Sequence, residues 1–233
     1  MSETPSAWPD VWVFPSWSNN FFGLRNVEGL DRRPGRGGAI YRGFDDARVK
    51  DQNPVSALGA IGDQVMWERL KYFLAAVIPV AKESGVRMAL HPNDPPVDSY
   101  RGVAQPFATV EHWKRLVNFI PSPHNGITLD TGVTAELGAN VIQTIQYFGQ
   151  RNCINHVHFR NVRTVTPQFN YAETFIDEGQ VDMLEAMRAL RKTGYSLMVV
   201  PDHSPSLVED PNGFGGWGYA LGYIKALIRA TDT

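Results

Sequence analysis

The chain has 233 residues, with 22 lysines and arginines against 24 aspartates and glutamates and a formal charge of −2. That balance excludes the basic field of a nucleic-acid binder, and a 43% hydrophobic content fits a soluble globular protein. The longest apolar run, Phe73 to Val80, is broken by Pro79 and is far too short to span a bilayer.

The N-terminal MSETPSAWPDVW lacks the basic-then-apolar pattern of a secretory leader. The single cysteine, Cys153, excludes an internal disulfide framework and fits a reducing compartment. A cytoplasmic protein with one domain over residues 1–233 is therefore expected.

Residues 1 to 62 are rich in Pro, Gly, Arg and Trp and lack periodicity; Val11 to Phe14 suits one strand, and Pro34 to Asp45 (PGRGGAIYRGFD) reads as a loop. From Asp63, which suits an N-cap, apolar residues recur with helical spacing through Trp67, Leu70, Leu74 and Ile78, and Gly85 can end the helix. Val86 to His91 follows as a strand, Val110 to Phe119 as a helix and Gly126 to Asp130 as a strand. Asn140 to Phe148 is helical, Ile154 to Arg160 a strand, Val181 to Thr193 a helix closed by Gly194, Leu197 to Val200 a strand, and Tyr219 to Ala230 a last helix. Strands alternating with helices imply parallel strands joined by crossovers.

The polar residues fall in a pattern. The four βα strands end in His91, in Asp130, in His158 followed by Arg160, and in Asp202 with His203. The carboxyl ends of parallel strands form the functional rim of such folds. Imidazoles and carboxylates gathered there suit a borderline-to-hard divalent ion such as Mn, Fe(II), Co or Zn, and Cys153, at the start of its strand, is read as a small buried apolar residue. Singly, each feature has a plainer reading: a satisfied strand-end histidine, an Asp-Thr-Gly helix cap, a Pro-Asp-His turn. On the strand CINHVHFRNV, His156, His158 and Arg160 share one face, which is costly to bury without partners. His156 lies deeper than His158 and either supports it or packs. His112 is assigned to a helix surface, and His124 to a turn at the opposite end of the sheet.

Six segments carry a resemblance: RGGAIYRGFD (36–45), LKYFLAAVIPVAKESGVRMALHPNDPP (70–96), PSPHNGITLDTG (121–132), HVHFRNV (156–162), ETFIDEGQVDM (173–183) and VPDHSP (200–205). Together they resemble the mannonate dehydratases of the xylose-isomerase-like TIM-barrel type. The resemblance implies a (β/α)8 barrel and dehydration of D-mannonate to 2-keto-3-deoxy-D-gluconate with a divalent metal. Mn is the expected ion, with Fe(II), Mg or Co as alternatives. By motif it implies His91, Asp130, His158 and Asp202 as metal ligands and His203 with Tyr219 as the acid–base pair. Arg160, Asn161, Arg36 and Arg42 are expected to bind substrate, although a structural salt bridge suits Arg160 equally. The sugar acid is the expected small-molecule partner.

Two departures stand out. The family's ligand cysteine is Asp130 here, a harder donor that shifts preference towards Mn or Mg. The RGGA segment also begins near residue 36, so the first two or three βα units of a barrel are expected to be missing. The apolar faces this would expose are expected to be covered by Trp8, Trp12, Phe14, Trp17, Phe21 and Phe22 and by a second copy in a homo-oligomer. The competing readings are a metal-dependent sugar isomerase or epimerase, which Asp130 favours but which usually needs paired strand-end glutamates, and a non-catalytic half-barrel module. Glu173 and Glu178 are assigned to a loop.

Overall fold

The computed structural model describes residues 16–21, 29–54 and 59–231. The strand expected over Val11 to Phe14 lies outside them, as do Trp8, Trp12, Phe14 and Phe22. In chain order the elements are β1 (Ser16–Asn19), β2 (Leu30–Pro34), β3 (Ile40–Asp45), α1 (Asp63–Glu83), β4 (Arg87–Leu90), β5 (Ser99–Tyr100), β6 (Val103–Ala104), α2 (Val110–Phe119) and β7 (Asn125–Asp130). There follow α3 (Thr131–Glu136), α4 (Val141–Gly149), β8 (Ile154–His158), β9 (Asn161–Thr166), β10 (Asn170–Thr174), α5 (Met183–Lys192), β11 (Val199–Val200) and α6 (Phe214–Ala230).

The helices begin and end where local chemistry directs. Thr109, Asn140 and Asp182 each accept a backbone N–H of the first turn of α2, α4 and α5, satisfying donors that the helix cannot. Gly85 and Gly194 follow α1 and α5 at φ +68° and +76°, a left-handed turn that glycine adopts without strain.

Strands β1, β4, β7, β8 and β11 form one sheet in that order, and every neighbouring pair is parallel. The sheet curls. Ser18 Oγ on β1 lies 2.8 Å from Thr128 Oγ1 on β7, with β4 between them. Strands two apart in a flat sheet are about 9.6 Å from each other, a gap two short hydroxyl side chains cannot bridge. The concave face is polar, carrying Ser18, Thr128, His156 and His158. The convex face is apolar: Leu90, Ile127, Leu129 and Val157 pack under α1, α2, α4, α5 and α6 in one continuous core. Five parallel strands with helices on their outer face are the arrangement of an incomplete (β/α) barrel.

A second sheet, with antiparallel strands in the order β2-β3-β10-β9, corrects two expectations. The segment from Pro34 to Asp45 is not a loop: a 3-10 turn at Arg36–Gly38 leads into β3. Glu173 lies on β10 rather than in a loop. Pro and Gly in PGRGGAIYRGFD masked a short strand that forms a hairpin with β2 across residues 35–39 and pairs on its other side with β10, more than 120 residues away. Trp17 covers little, being 61% exposed, whereas Phe21 stacks on Phe73 at 6.1 Å. His112 is half-buried, its ring edge-on to Trp67, rather than fully on the surface.

Trp113 of α2 is 1% exposed, and its indole N–H donates to the Phe107 carbonyl at 2.8 Å. Trp113→Ala is expected to lower the unfolding free energy by about 3–5 kcal/mol in urea titration, because it opens a cavity and orphans that carbonyl.

Candidate metal centre and its surroundings

Parallel pairing sets Asp130 of β7 opposite His158 of β8. His91 follows β4, its backbone N–H donating to Asn19 at the end of β1. Asp202 follows β11. One donor atom from each of His91, Asp130, His158 and Asp202 lies within 4.8 Å of all the others. His91 Nε2 is 3.5 Å from Asp130 Oδ2 and 2.9 Å from His158 Nδ1, and His158 Nδ1 is 3.5 Å from Asp202 Oδ2. His91 Nδ1 donates to the Pro92 carbonyl at 2.7 Å, because a carbonyl can only accept. The other nitrogen therefore turns its lone pair into the cluster when the ring is neutral. Two imidazole nitrogens and two carboxylates, converging from four strand ends, fit a divalent cation of the Mn, Fe(II), Co or Zn kind.

The four candidate ligands are held from outside. Asp130 is fully buried; its Oδ1 accepts the Val133 N–H and caps α3, so Oδ2 alone faces the cluster. Arg160 donates Nε to that Oδ2 at 3.0 Å, Nη1 to Glu136 at 2.8 Å and Nη2 to Asp94 at 2.9 Å. Thr131 clasps the Arg160 backbone, donating to its carbonyl at 2.6 Å and accepting its N–H at 3.0 Å. A Cβ on Gly132 would stand 2.5 Å from Arg160 Nη1, so the glycine of Asp-Thr-Gly makes room for the guanidinium. Asn93 Oδ1 accepts the Phe107 N–H and fixes the loop after His91.

The charges follow from these contacts. Burial pushes Asp130 upward, but Arg160 and the two histidines outweigh it and hold the carboxyl well below its usual range. Burial depresses His91, yet Asp130 more than offsets this and raises the imidazole. Burial raises Glu136 well above the carboxylate norm despite Arg160. His156 is lowered to about 4 by burial and then by His158 and His91. It is thus a neutral ring packed edge-on to His158 at 5.1 Å.

The antiparallel sheet supplies the next layer. Arg42 of β3 forks onto Glu173 of β10, Nε at 3.0 and 2.9 Å and Nη2 at 2.8 Å, and reaches His203. His203 lies 3.4 Å from Asp202 Oδ2 through Nε2 and 3.0 Å from Glu173 Oε1 through Nδ1. Burial raises Glu173, but His203, Arg160 and Arg42 bring it down to about 2.

Not every expected residue arrives. Asn161 cannot offer its amide to a substrate: both donors are spent on the Ile176 and Val181 carbonyls, and its oxygen accepts the Val162 and Val181 N–H groups. Arg160 lies past the end of β8, with its guanidinium buried among carboxylates rather than free to clamp an acid. Arg36 pairs with Asp177 at 2.7 and 2.8 Å, stacks on Phe175 and donates to Tyr219 Oη at 3.2 Å. Among the described residues, no hydrogen bond joins Tyr219 to the four-ligand cluster. Sequence reading missed Asp94, Glu136 and Glu173 as partners of Arg160 and His203. Only a parallel-strand register and a second sheet bring them there.

Comparison with known proteins agrees with this geometry. Residues 39–232 match the family "D-mannonate dehydratase (UxuA)". Mannonate dehydratase of Enterococcus faecalis is 34% identical over 197 residues, 81% of this chain and 54% of that protein. The Thermotoga petrophila mannonate dehydratase is 34% identical over 182 residues, 74% of this chain and 49% of that protein. The crystal structure of mannonate dehydratase from Streptococcus suis serotype 2 superposes with a TM-score of 0.82 at 28% identity, covering 93% of this chain and 66% of that one. A xylose isomerase domain protein from Planctomyces limnophilus, at TM-score 0.55 and 14% identity, shares the fold alone. The chain spans about half the length of the curated relatives it matches.

Two outcomes are expected. Arg160→Leu leaves Asp130, Glu136 and Asp94 buried without their cation and lowers stability by about 3–5 kcal/mol in denaturant titration. Glu173 is depressed from 4.5 to about 2, so the roughly 3 kcal/mol it contributes is present above pH 4.5 and lost as pH falls towards 2. Acid unfolding followed by circular dichroism should therefore steepen in that window and flatten in Glu173→Gln.

A convergent His2Asp2 cluster on the carboxyl rim of a curled parallel sheet, a match over residues 39–232 and 34% identity across four-fifths of its length lead to one assignment: the chain belongs to the D-mannonate dehydratase family.

Proposed function

We propose that the protein is a metal-dependent sugar-acid dehydratase, a hydro-lyase that converts D-mannonate to 2-keto-3-deoxy-D-gluconate and water. The observation that carries this reading is the convergence of His91, Asp130, His158 and Asp202, with His203 beside them, at the ends of four parallel strands. The proposed ion is Mn. A carboxylate at position 130, where the family pattern carries a cysteine, makes the donor set harder and favours Mn or Mg. Held by these four residues, a divalent cation would draw charge from the substrate carboxylate and 2-hydroxyl, making the hydrogen on the adjacent carbon more acidic.

The chain's own groups do the rest. His203 and Tyr219 divide the acid–base work: one removes the proton beside the carboxylate, and the other protonates the 3-hydroxyl as it leaves as water. The enol that results tautomerises to the 2-keto-3-deoxy acid. Arg42 reaches the site beside His203 with a half-exposed side chain, and Arg36 stands with Tyr219 further out, so both are proposed to bind the polyhydroxy acid. Arg160 is a positioning residue, acting through Asp130. We assign the protein to the cytoplasm because its single cysteine suits a reducing compartment; among the described residues no helix is long and apolar enough to cross a membrane. A homo-oligomer is proposed because Trp17 and Val80 leave an apolar groove at the outer edge of the sheet.

The test is turnover of D-mannonate by purified, Mn-supplemented protein, followed as 2-keto-3-deoxy acid, with bound metal measured by elemental analysis. His158→Ala should lose bound Mn and at least about 100-fold in kcat/KM. Full activity after chelation, or in His158→Ala, would overturn the reading.

A further inference from the structure

The face of the antiparallel sheet that carries Arg42 carries a second arginine. Antiparallel pairing sets Arg32 of β2 directly opposite Arg42 of β3, so both side chains leave the same face. Their surroundings differ. Arg42 has its charge met by Glu173 and reaches His203. Arg32 is exposed, and among the described residues it has no ion-pair or hydrogen-bond partner. Two like charges directly opposite each other cost stability, so the pair needs a reason.

Both arginines line a cavity of about 260 Å³. Leu30 and Ile40, two positions along each strand and on the same face, give it an apolar floor. Ser206 closes one side: its backbone N–H and carbonyl are both spent on Ile40 at 2.9 Å, and among the described residues its hydroxyl has no partner. Asp31 also lines the cavity, but Arg33 at 2.8 Å and Arg48 at 3.4 Å meet its charge. Of the three charged residues around the cavity, Arg32 alone is left unmatched. The cavity adjoins the candidate metal centre through Arg42, whose Nη2 is 2.7 Å from His203 Nε2, itself 3.4 Å from Asp202 Oδ2.

We propose that this cavity receives a second carboxylate, so that the site takes six-carbon sugar diacids as well as D-mannonate, with Arg32 as the residue that sets the preference. This rests on the dehydratase reading for the end of the acid held at the cluster. An extended six-carbon acid is on the order of 6 Å from first to last carbon. With its first carboxylate at the cluster, its far end lies at Arg42 and the mouth of the cavity. D-mannonate ends there in a neutral hydroxymethyl group, which leaves Arg32 without an anion. One unmatched positive charge suits a singly charged carboxylate, whose two oxygens fit the guanidinium fork. The chemistry is unchanged. The C2–H bond breaks to the base, the C3–O bond breaks and the protonated hydroxyl leaves as water, and the enol tautomerises to a 2-keto-3-deoxy diacid. D-mannarate is the simplest such acid. It keeps the stereochemistry of D-mannonate at every carbinol and, being two-fold symmetric, presents the same reacting end in either direction.

The experiment compares D-mannarate with D-mannonate on purified, Mn-supplemented protein, followed as 2-keto-3-deoxy acid. Wild type should turn over both. Arg32→Gln should lower kcat/KM for D-mannarate by about 10- to 100-fold, through KM, and leave that for D-mannonate within about twofold. Arg32 is exposed, so the variant should fold as wild type does. Turnover of D-mannonate alone, or an equal effect of Arg32→Gln on both acids, would overturn the proposal. So would a higher kcat/KM for D-mannonate 6-phosphate than for D-mannarate, since the cavity would then suit a phosphate. If neither acid reacts, the dehydratase reading falls, and the two acids can be titrated unreacted by calorimetry. Tighter binding of the diacid that Arg32→Gln abolishes would keep the cavity assignment, and equal affinity would overturn it as well.

Discussion

The buried guanidinium of Arg160 is the constraint on which the rest of the site depends. It meets Asp130, Glu136 and Asp94 at 2.8–3.0 Å with a side chain that is 1% exposed. Three carboxylates in so dry a place repel one another, and no single cation fully offsets them. Burial therefore raises Glu136, while Asp130, which faces His158 and His91 as well as the guanidinium, stays ionised. The arginine and the two histidines together thus decide which carboxylate keeps its charge. That carboxylate faces the candidate metal cluster.

That choice links the two sheets. Asp130 ends a parallel strand and caps α3; Asp94 comes from the loop after His91 and accepts the hydroxyl of Tyr171 on β10; Glu173, on the same strand, stands 3.9 Å from Arg160 and holds Arg42 and His203. The antiparallel sheet is therefore more than a cover over the strand ends. It carries Arg42 and Glu173, which both touch His203, whereas the parallel sheet carries the proposed ligands. The proposed ligands on the parallel sheet and the Arg42–Glu173 pair on the antiparallel one meet at Asp202 and His203, adjacent in sequence.

The proposed replacement of a ligand thiolate by Asp130 fits the same frame. A carboxylate has two oxygens where a thiolate has one sulfur. One of them is spent on the Val133 N–H and the other is shared with Arg160 Nε. Asp130 is thereby reduced to one oxygen facing the cluster, of fixed direction and partly neutralised charge. A harder donor is presented through nearly the same geometry.

Read alone, the sequence determined five of the six helices and four of the five parallel strands described, and the polar residues that end those four strands. These rest on local signals: apolar residues at helical spacing from Trp67 to Ile78, caps at Thr109 and Asn140, glycines after α1 and α5, and a His or Asp at each strand end. Only the tertiary structure decided what Arg160, Asn161 and Glu173 do. Arg160 and Asn161 are adjacent polar residues of one motif, yet the first is spent on carboxylates and the second on backbone carbonyls. Strand β3 pairs with a segment more than 120 residues away, and Arg42 meets Glu173 across 131 positions. Pairings at that distance leave no periodicity and no turn signature in the chain. They are set by which surfaces the curled sheet brings together, and by the need of every buried charge there to find a partner.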